Sequence, residues 1–438
     1  MKAYPEYKYS GVEWLGEVPA GWEVSRFKNH LHERDERSED GDETLLSVSA
    51  YTGVRPRSEG IEDGEFLSRA ESLQGYKVAY SGDLVMNIML AWNRAQGITD
   101  FNGIVSPAYA VFKLNSSIFP AYLNHLVRTD EYCRYFKAFS AGVIDSRLRL
   151  YPEKFGGLFA IIPPLTEQRK IAAFLDREVA KIDDLIEEQR RLIALLAEKR
   201  QATISHAVTK GLNPNAKLKP SGIDWLGDVP EGWEVIRLSR MTSQIVDGAH
   251  FTPTYVSEGV PFLRVTDISR GFPDLETVAR IPLEEHLELI KRCHPRKGDL
   301  LLSKNGTVGV PMVITWDWDF SIFVSLCLIR LNRELSAEFA KYVFLSKQIE
   351  MQIEADKKQS TVINLHLEKI AGFMFPCPSL PEQEEVVQFL DRVTQKFDSL
   401  SNAAVAAISL LQERRSALIS AAVTGKIDLR DFDDSILE

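Results

Sequence analysis

Residues 10–24 read Ser-Gly-Val-Glu-Trp-Leu-Gly-Glu-Val-Pro-Ala-Gly-Trp-Glu-Val, and residues 221–235 read Ser-Gly-Ile-Asp-Trp-Leu-Gly-Asp-Val-Pro-Glu-Gly-Trp-Glu-Val. Eleven of these fifteen positions are identical at an offset of 211. A second echo closes each copy: Leu-Thr-Glu-Gln-Arg-Lys-Ile-Ala-Ala-Phe-Leu-Asp at 165–176 returns as Leu-Pro-Glu-Gln-Glu-Glu-Val-Val-Gln-Phe-Leu-Asp at 380–391, now at an offset of 215. The chain is two copies of one unit, and duplication predicts an approximate internal two-fold suited to a target with two halves. Between the echoes, residues 25–160 and 240–375 share little. Drift alone erodes ends and middles alike. A common frame carrying two bodies that recognise different things is therefore favoured over an old duplication with drifted middles.

Composition narrows the class. A chain of 438 residues predicts about three domains. Its 45% hydrophobic content is ordinary for a globular protein with an ample core. No apolar run reaches bilayer length, so no membrane role is expected. The N-terminal residues are polar and aromatic, unlike a signal peptide. Cys133, Cys293, Cys327 and Cys377 lack metal-ligand spacing and read as reduced thiols in a cytoplasmic protein. The net charge of −10 argues mildly against a generic nucleic-acid binder, yet whole-chain charge hides local fields. Basic clusters occur at Arg55/Arg57, at Arg147/Arg149, and at Lys291-Arg292 with Arg296-Lys297. A solvated surface is the plainer reading of each.

Residues 166–210 carry apolar groups at Ile171, Leu175, Val179, Ile182, Ile186, Ile193, Leu196 and Ile204, a helical stripe. Its copy runs through Val386, Leu390, Val393, Phe397, Leu400, Ile408 and Leu418. Ser379 and Glu382 have capping-box spacing, Pro381 suits a first turn, and Gly211 and Gly425 suit the two C-terminal ends. Each helix is expected to run roughly 65 Å. A helix so long on one stripe needs a partner, and the other copy supplies it. Two such helices packed antiparallel as a coiled coil would hold the two bodies apart on a rod.

Both bodies read as strand-rich α/β. Strands are expected at 76–80, 83–87 and 107–113, then a helix over 119–138; the second body repeats the plan with strands at 261–265, 298–303 and 320–330 and a helix over 336–355. The predicted organisation is a first recognition domain (1–163), a central long helix (164–211), a linker (212–220), a second recognition domain (221–378), a distal long helix (379–425) and an acidic tail (426–438). Polar loops punctuate the strands. In Ala91-Trp-Asn-Arg-Ala-Gln-Gly, Trp92, Asn93, Arg94 and Gln96 are candidates for DNA contact, Arg94 toward guanine and Asn93 or Gln96 toward adenine. In Lys304-Asn-Gly-Thr-Val-Gly, Lys304, Asn305 and Thr307 can reach phosphates or base edges, although the loop lacks the Gly-Lys-Ser/Thr ending of a nucleotide hydrolase. Later loops add Ser140 and Arg147, and Ser360, Thr361 and Asn364. A plain surface turn competes at every one of these places.

Catalytic constellations are missing. The sequence has no dinucleotide-binding glycine fingerprint, no HExxH helix and no Asn-Pro-Pro-Tyr or Asp-Pro-Pro-Tyr stretch. Pro273-Asp274-Leu275-Glu276 is half of a nuclease metal motif without its partner nearby. No catalytic or metal-ligating residue is therefore nominated. The duplicated Trp-Leu-Gly-(Glu/Asp)-Val-Pro-x-Gly-Trp-Glu-Val, the closing Pro-Pro-Leu-Thr-Glu-Gln at 163–168 and Pro-Ser-Leu-Pro-Glu-Gln at 378–383, and the stretches Gly82-Asp-Leu-Val-Met-Asn, Val105-Ser-Pro-Ala-Tyr and Gly298-Asp-Leu-Leu-Leu-Ser-Lys-Asn-Gly together resemble the specificity subunit of type I restriction–modification systems.

That resemblance implies two target-recognition domains, each reading half of a gapped double-stranded DNA site, and long helices that set the spacing. It also implies two methyltransferase subunits, with restriction subunits as possible further partners. Glu167, Gln168, Asp176, Glu382, Gln383 and Asp391, in the repeated closing segments, become candidates for the methyltransferase-subunit interface. S-adenosylmethionine, ATP and magnesium would belong to the partners and no cofactor to this chain, which would not be an enzyme. Two rivals remain at this point: a coiled-coil adaptor that binds proteins, and a nuclease with an unrecognised site.

Overall fold

The computed structural model describes residues 2–50, 52–60, 72–268, 271–357 and 365–432. The chain divides into two compact units, Met1–Gln189 with Ala406–Glu438, and Arg190–Val405. Each unit thus holds one end of each long helix.

In the first unit the central sheet is made of Leu31–Glu33 (β1), Leu84–Asn87 (β2), Gln96–Ile98 (β3) and Tyr109–Leu114 (β4), ordered β1-β4-β2-β3 and antiparallel throughout. β2 is buried at all positions, as a continuous apolar run in a covered sheet should be. Successive side chains leave opposite faces. Leu84, Met86, Ala110 and Phe112 join the core with helices Pro120–Val127 (α1) and Asp130–Phe139 (α2). Val85 and Val111 face the other way, onto Leu46, Val54, Ala79 and Val105. The expected single helix over 119–138 is two. Thr129 has extended backbone and its hydroxyl accepts from the Tyr132 N–H, so it caps α2 and breaks the run.

The second unit repeats the plan with different side chains. Thr242–Asp247 (β5), Leu300–Ser303 (β6), Pro311–Val313 (β7) and Leu326–Leu331 (β8) form an antiparallel sheet ordered β5-β8-β6-β7. Leu300, Leu302, Cys327 and Ile329 pack with helix Ala337–Phe344 (α3) on one face. Leu301 and Leu328 pack with Trp316 and Phe320 on the other. Ser336 caps α3, and the expected helix over 336–355 is again interrupted, at Leu345–Ser346, before Lys347–Lys357 (α4). The expected strand over 320–330 is likewise broken. Ser321–Ile322 pairs with Phe262–Leu263, the chain turns through Phe323–Ser325, and β8 follows. Ser325 drives the turn, its hydroxyl accepting from Val265 N–H and its carbonyl from Lys304 N–H.

The long helices are Leu165–Lys210 and Leu380–Val423. In the first unit Ile171, Ala172, Phe174 and Leu175 share a core with Leu418, Ile419, Ala422 and Val423, and Arg415 bridges Asp183 at 2.8 Å. In the second unit Ile204, Ala207 and Val208 share a core with Val386 and Leu390, and Arg200 meets Asp398 at 3.4 Å. The start of one helix lies with the end of the other in both units, so they pair antiparallel. Arg200/Arg415 and Asp183/Asp398 are repeat mates at an offset of 215. Among the described residues, no helix is long and apolar enough to cross a membrane.

Candidate nucleic-acid interface

The first unit gathers three loops. β2 leads into a tight turn, Ala91–Asn93, closed by Arg94 at φ 61°, the one non-glycine residue with positive φ among those described. A left-handed arginine is strained by about 1–2 kcal/mol and needs local support. Its side chain is ion-paired to Asp130 at the start of α2. Its carbonyl accepts from Arg128 Nη1 at 2.9 Å. The same guanidinium donates to the carbonyls of Gln96 at 2.7 Å and of Ala50 at 2.8 Å. Ala50 lies in the turn joining Leu46–Ser49 to Gly53–Pro56. Arg128 therefore ties that turn to the Trp92–Arg94 loop. The third loop, 140–149, is tied in by Leu150 N–H to Ile88 carbonyl at 2.8 Å. Lys137 lies 4.8 Å over the Trp92 ring.

The candidate residues fall unevenly on this face. Asn93 and Arg147 are exposed, and neither side chain has a partner among the described residues. Arg55, Arg57 and Arg149 are exposed as well. Trp92 is half-buried, its indole N–H given to Met89 carbonyl at 3.1 Å. Ser140 is half-buried and donates to Phe136 carbonyl at 2.7 Å. Gln96 is a correction: it is buried and its amide donates to Val127 carbonyl at 2.7 Å, which keeps it from any base edge.

The second unit corrects a further expectation. Lys304 is buried and donates to the equally buried Asp247 at 2.9 Å. Arg292 reaches the same carboxylate at 2.6 Å and His250 at 3.0 Å. Lys304 is thus spent inside the protein. Burial of Asp247 works against its ionisation, but hydrogen bonds and charge from Lys304 and His250 outweigh it and lower its pKa to about 2. Arg292 and His250 stay more than half exposed, and the Arg292 guanidinium presents positive charge outward. Sequence reasoning passed over Asp247 and His250. The available signal was an acid closing a strand just before Gly248. Two more cations of the basic run are also paired, Lys291 with Glu288 and Lys297 with Asp317. Asn305 is half-buried and Thr307 exposed. Ser360, Thr361 and Asn364 lie outside the described residues.

The residues proposed for a subunit interface form the joints between bodies and helices. Gln168 is fully buried: its oxygen accepts from Phe119 N–H at 2.7 Å and its nitrogen donates to the carbonyls of Ser117 and Pro163 at 2.9 and 2.8 Å. Gln383 repeats this with Ser336 N–H and the carbonyls of Glu334 and Pro378, at 2.8, 2.9 and 3.0 Å. Both glutamines are corrections, because a buried amide with its groups satisfied has nothing to offer a partner. Glu167 accepts from Tyr4 hydroxyl and Trp22 indole, each at 2.9 Å. Glu382 is half-buried beside the chain end at Gly211. Asp176 is exposed on its helix, with His125 Nε2 at 2.8 Å. Asp391 holds the equivalent place and accepts from Tyr342 hydroxyl at 2.6 Å. Among the described residues no group of His, Cys, Asp and Glu is placed to hold a metal ion.

The model for the type I restriction modification DNA specificity domain matches residues 230–408. The type I restriction enzyme EcoBI specificity subunit of Escherichia coli is 24% identical over 61% of this chain, which spans 58% of that relative's length. The MjaVIII specificity subunit of Methanocaldococcus jannaschii is 20% identical, with 99% of both chains covered. Two solved structures share the fold. One, from a study of complex assembly and conformational transition of the type I R-M system, aligns at TM-score 0.66 and 20% identity over 94% of this chain and 99% of its own. The HsdS subunit from Thermoanaerobacter tengcongensis aligns at 0.56 and 19% identity, covering 94% and 98%. With its duplicated ends, like sheet orders and paired long helices, the chain is similar to type I restriction–modification specificity subunits, and its residues 230–408 match the DNA specificity domain of that family.

Proposed function

We propose that this chain chooses the DNA site for a type I restriction–modification assembly in the cytoplasm. Each unit reads one half of a gapped double-stranded site. Two methyltransferase subunits, with S-adenosylmethionine, modify adenine at the site, and restriction subunits using ATP and magnesium complete the assembly. The chain itself supplies recognition and no catalysis. One observation carries this reading: the two units share a sheet order, β1-β4-β2-β3 and β5-β8-β6-β7, while the loops at their ends differ in length and charge. Conserved scaffolding with divergent loops is how one fold serves two specificities. Joining two weak readers in one chain makes the second contact intramolecular, so their specificities multiply.

On the first unit the contact residues are Asn93, Arg94, Arg147, Arg149, Arg55 and Arg57; on the second they are Arg292, His250, Thr307 and Asn305. Asp176 and Asp391, exposed on their helices, remain the candidates for methyltransferase contact. Methylome sequencing of cells with and without this chain tests the reading. A gapped adenine-methylated motif present only with the chain is the expected outcome. Identical methylomes, with the partner subunits expressed, would overturn it.

A further inference from the structure

The loop that follows α2 exposes apolar side chains where a soluble protein ordinarily hides them. Val143 is 99% exposed, Ile144 52% and Phe139 50%. This is a built tip. Ala141 and Arg149 exchange both backbone hydrogen bonds, at 2.8 and 2.9 Å, and close the loop at its base. Gly142 sits at φ 147°, where an added Cβ would lie 2.7 Å from Arg147 carbonyl oxygen, so the chain folds tightly back on itself. Asp145–Arg147 forms a turn of 3-10 helix, and Lys137 bridges Asp145 at 2.8 Å. Leu148 and Leu150 anchor the returning strand in the core.

Charge identifies the occupant. Residues 134–149 carry Arg134, Lys137, Arg147 and Arg149 against Asp145 alone, in a chain of net charge −10. The three arginines are exposed, with no side-chain partner among the described residues. An apolar tip flanked by exposed arginines suits a duplex: the cations meet phosphates and the apolar groups enter between base steps. The base of the loop is tied by the Leu150–Ile88 hydrogen bond to the segment leading into the Trp92–Arg94 turn, and Lys137 lies over Trp92.

We propose that Val143 and Ile144 form a wedge that partly unstacks one base step in the half-site read by the first unit. Sequences that unstack easily are then favoured at a step whose base edges the protein does not touch. This rests on the DNA-recognition reading. The test uses the full assembly with methyltransferase subunits, on duplexes bearing the site read from the methylome. 2-Aminopurine is placed in turn at each position except the methylated adenine. A several-fold fluorescence rise at one step is expected on binding. In the double variant Val143→Ser/Ile144→Ser the rise vanishes, specific affinity falls about tenfold, and binding to random DNA and thermal unfolding stay unchanged. Arg147→Ala and Arg149→Ala weaken binding to both DNAs, each making the salt dependence shallower by about one unit of slope. Selective binding with no responding step, or a rise that survives the double variant, overturns the wedge and leaves the recognition reading standing. Absence of any selective binding overturns both.

Discussion

Asp247 holds together more of the second unit's loop end than any sequence motif announces. It gathers Lys304, Arg292 and His250 onto one buried carboxylate. Removing one partner of a buried pair leaves an uncompensated charge, at a cost of about 3–5 kcal/mol. Asp247→Asn is expected to destabilise the unit by about that much in denaturant unfolding, and Asp247→Asn/Lys304→Met to recover most of it. The pH dependence has a definite sign. The folded-state pKa of about 2 lies below the ordinary 3.8. The stabilisation is whole above about pH 4 and is lost as pH falls toward 2. The gap between wild type and Asp247→Asn should therefore narrow over that interval, and a gap independent of pH would contradict the assignment. Lys304 was legible in the sequence as a cation beside a loop, but its direction was not. Its acid lies 57 residues earlier, in a strand that only the folded sheet brings beside it. Gln96 misled for the same reason, since its acceptor is a main-chain carbonyl 31 residues away.

At the scale of elements, the repeated segments are joints. Trp22 and Trp233 of the Gly-Trp-Glu-Val repeat each lie against the glycine ending a long helix, Gly425 and Gly211 respectively. Gly425 closes its helix with paired hydrogen bonds, Lys426 N–H to Ala421 carbonyl and its own N–H to Ala422 carbonyl. Both glycines have φ near +75°, at 75° and 73°. Their surroundings differ: an added Cβ would come 2.4 Å from Pro19 at Gly425 but only 3.2 Å from Trp233 at Gly211. Gly425→Ala should therefore lower the melting temperature more than Gly211→Ala, whose cost is mainly the left-handed backbone, about 1–2 kcal/mol. Equal effects would mean that the Pro19 contact relaxes freely. The identity of these joints made the duplication readable, because the same packing is solved twice. The bodies were less readable. Strand pairing constrains alternation and burial rather than identity, so after a shared Gly-Asp-Leu the two equivalent strands continue as Val-Met-Asn and Leu-Leu-Ser.

Two helices of 46 and 44 residues each contribute one end to each unit, and within each unit those ends pack antiparallel. If they set the separation of the half-sites, adding one heptad to both changes the gap in the methylated motif while each half-site keeps its sequence. An unchanged gap would assign the spacing to other contacts. The long helices were legible because a 3.6-residue apolar period survives over so many turns. Their pairing followed from the need to bury two single stripes, and its direction is read from the contacts within each unit. What escaped was the division of labour along them, since Gln168 and Gln383, candidates for a subunit interface, are buried and hydrogen-bond the helices to the bodies.

Ala422 and Val423, at the close of the second long helix, line the same core as Trp22 and Phe27 of the first repeated segment. A ribosome that has emitted the entire first body has not yet made the side chains that complete it. During synthesis that body waits with an open seam until the second long helix emerges. A prematurely terminated product is left incomplete at its oldest part, its apolar seam uncovered.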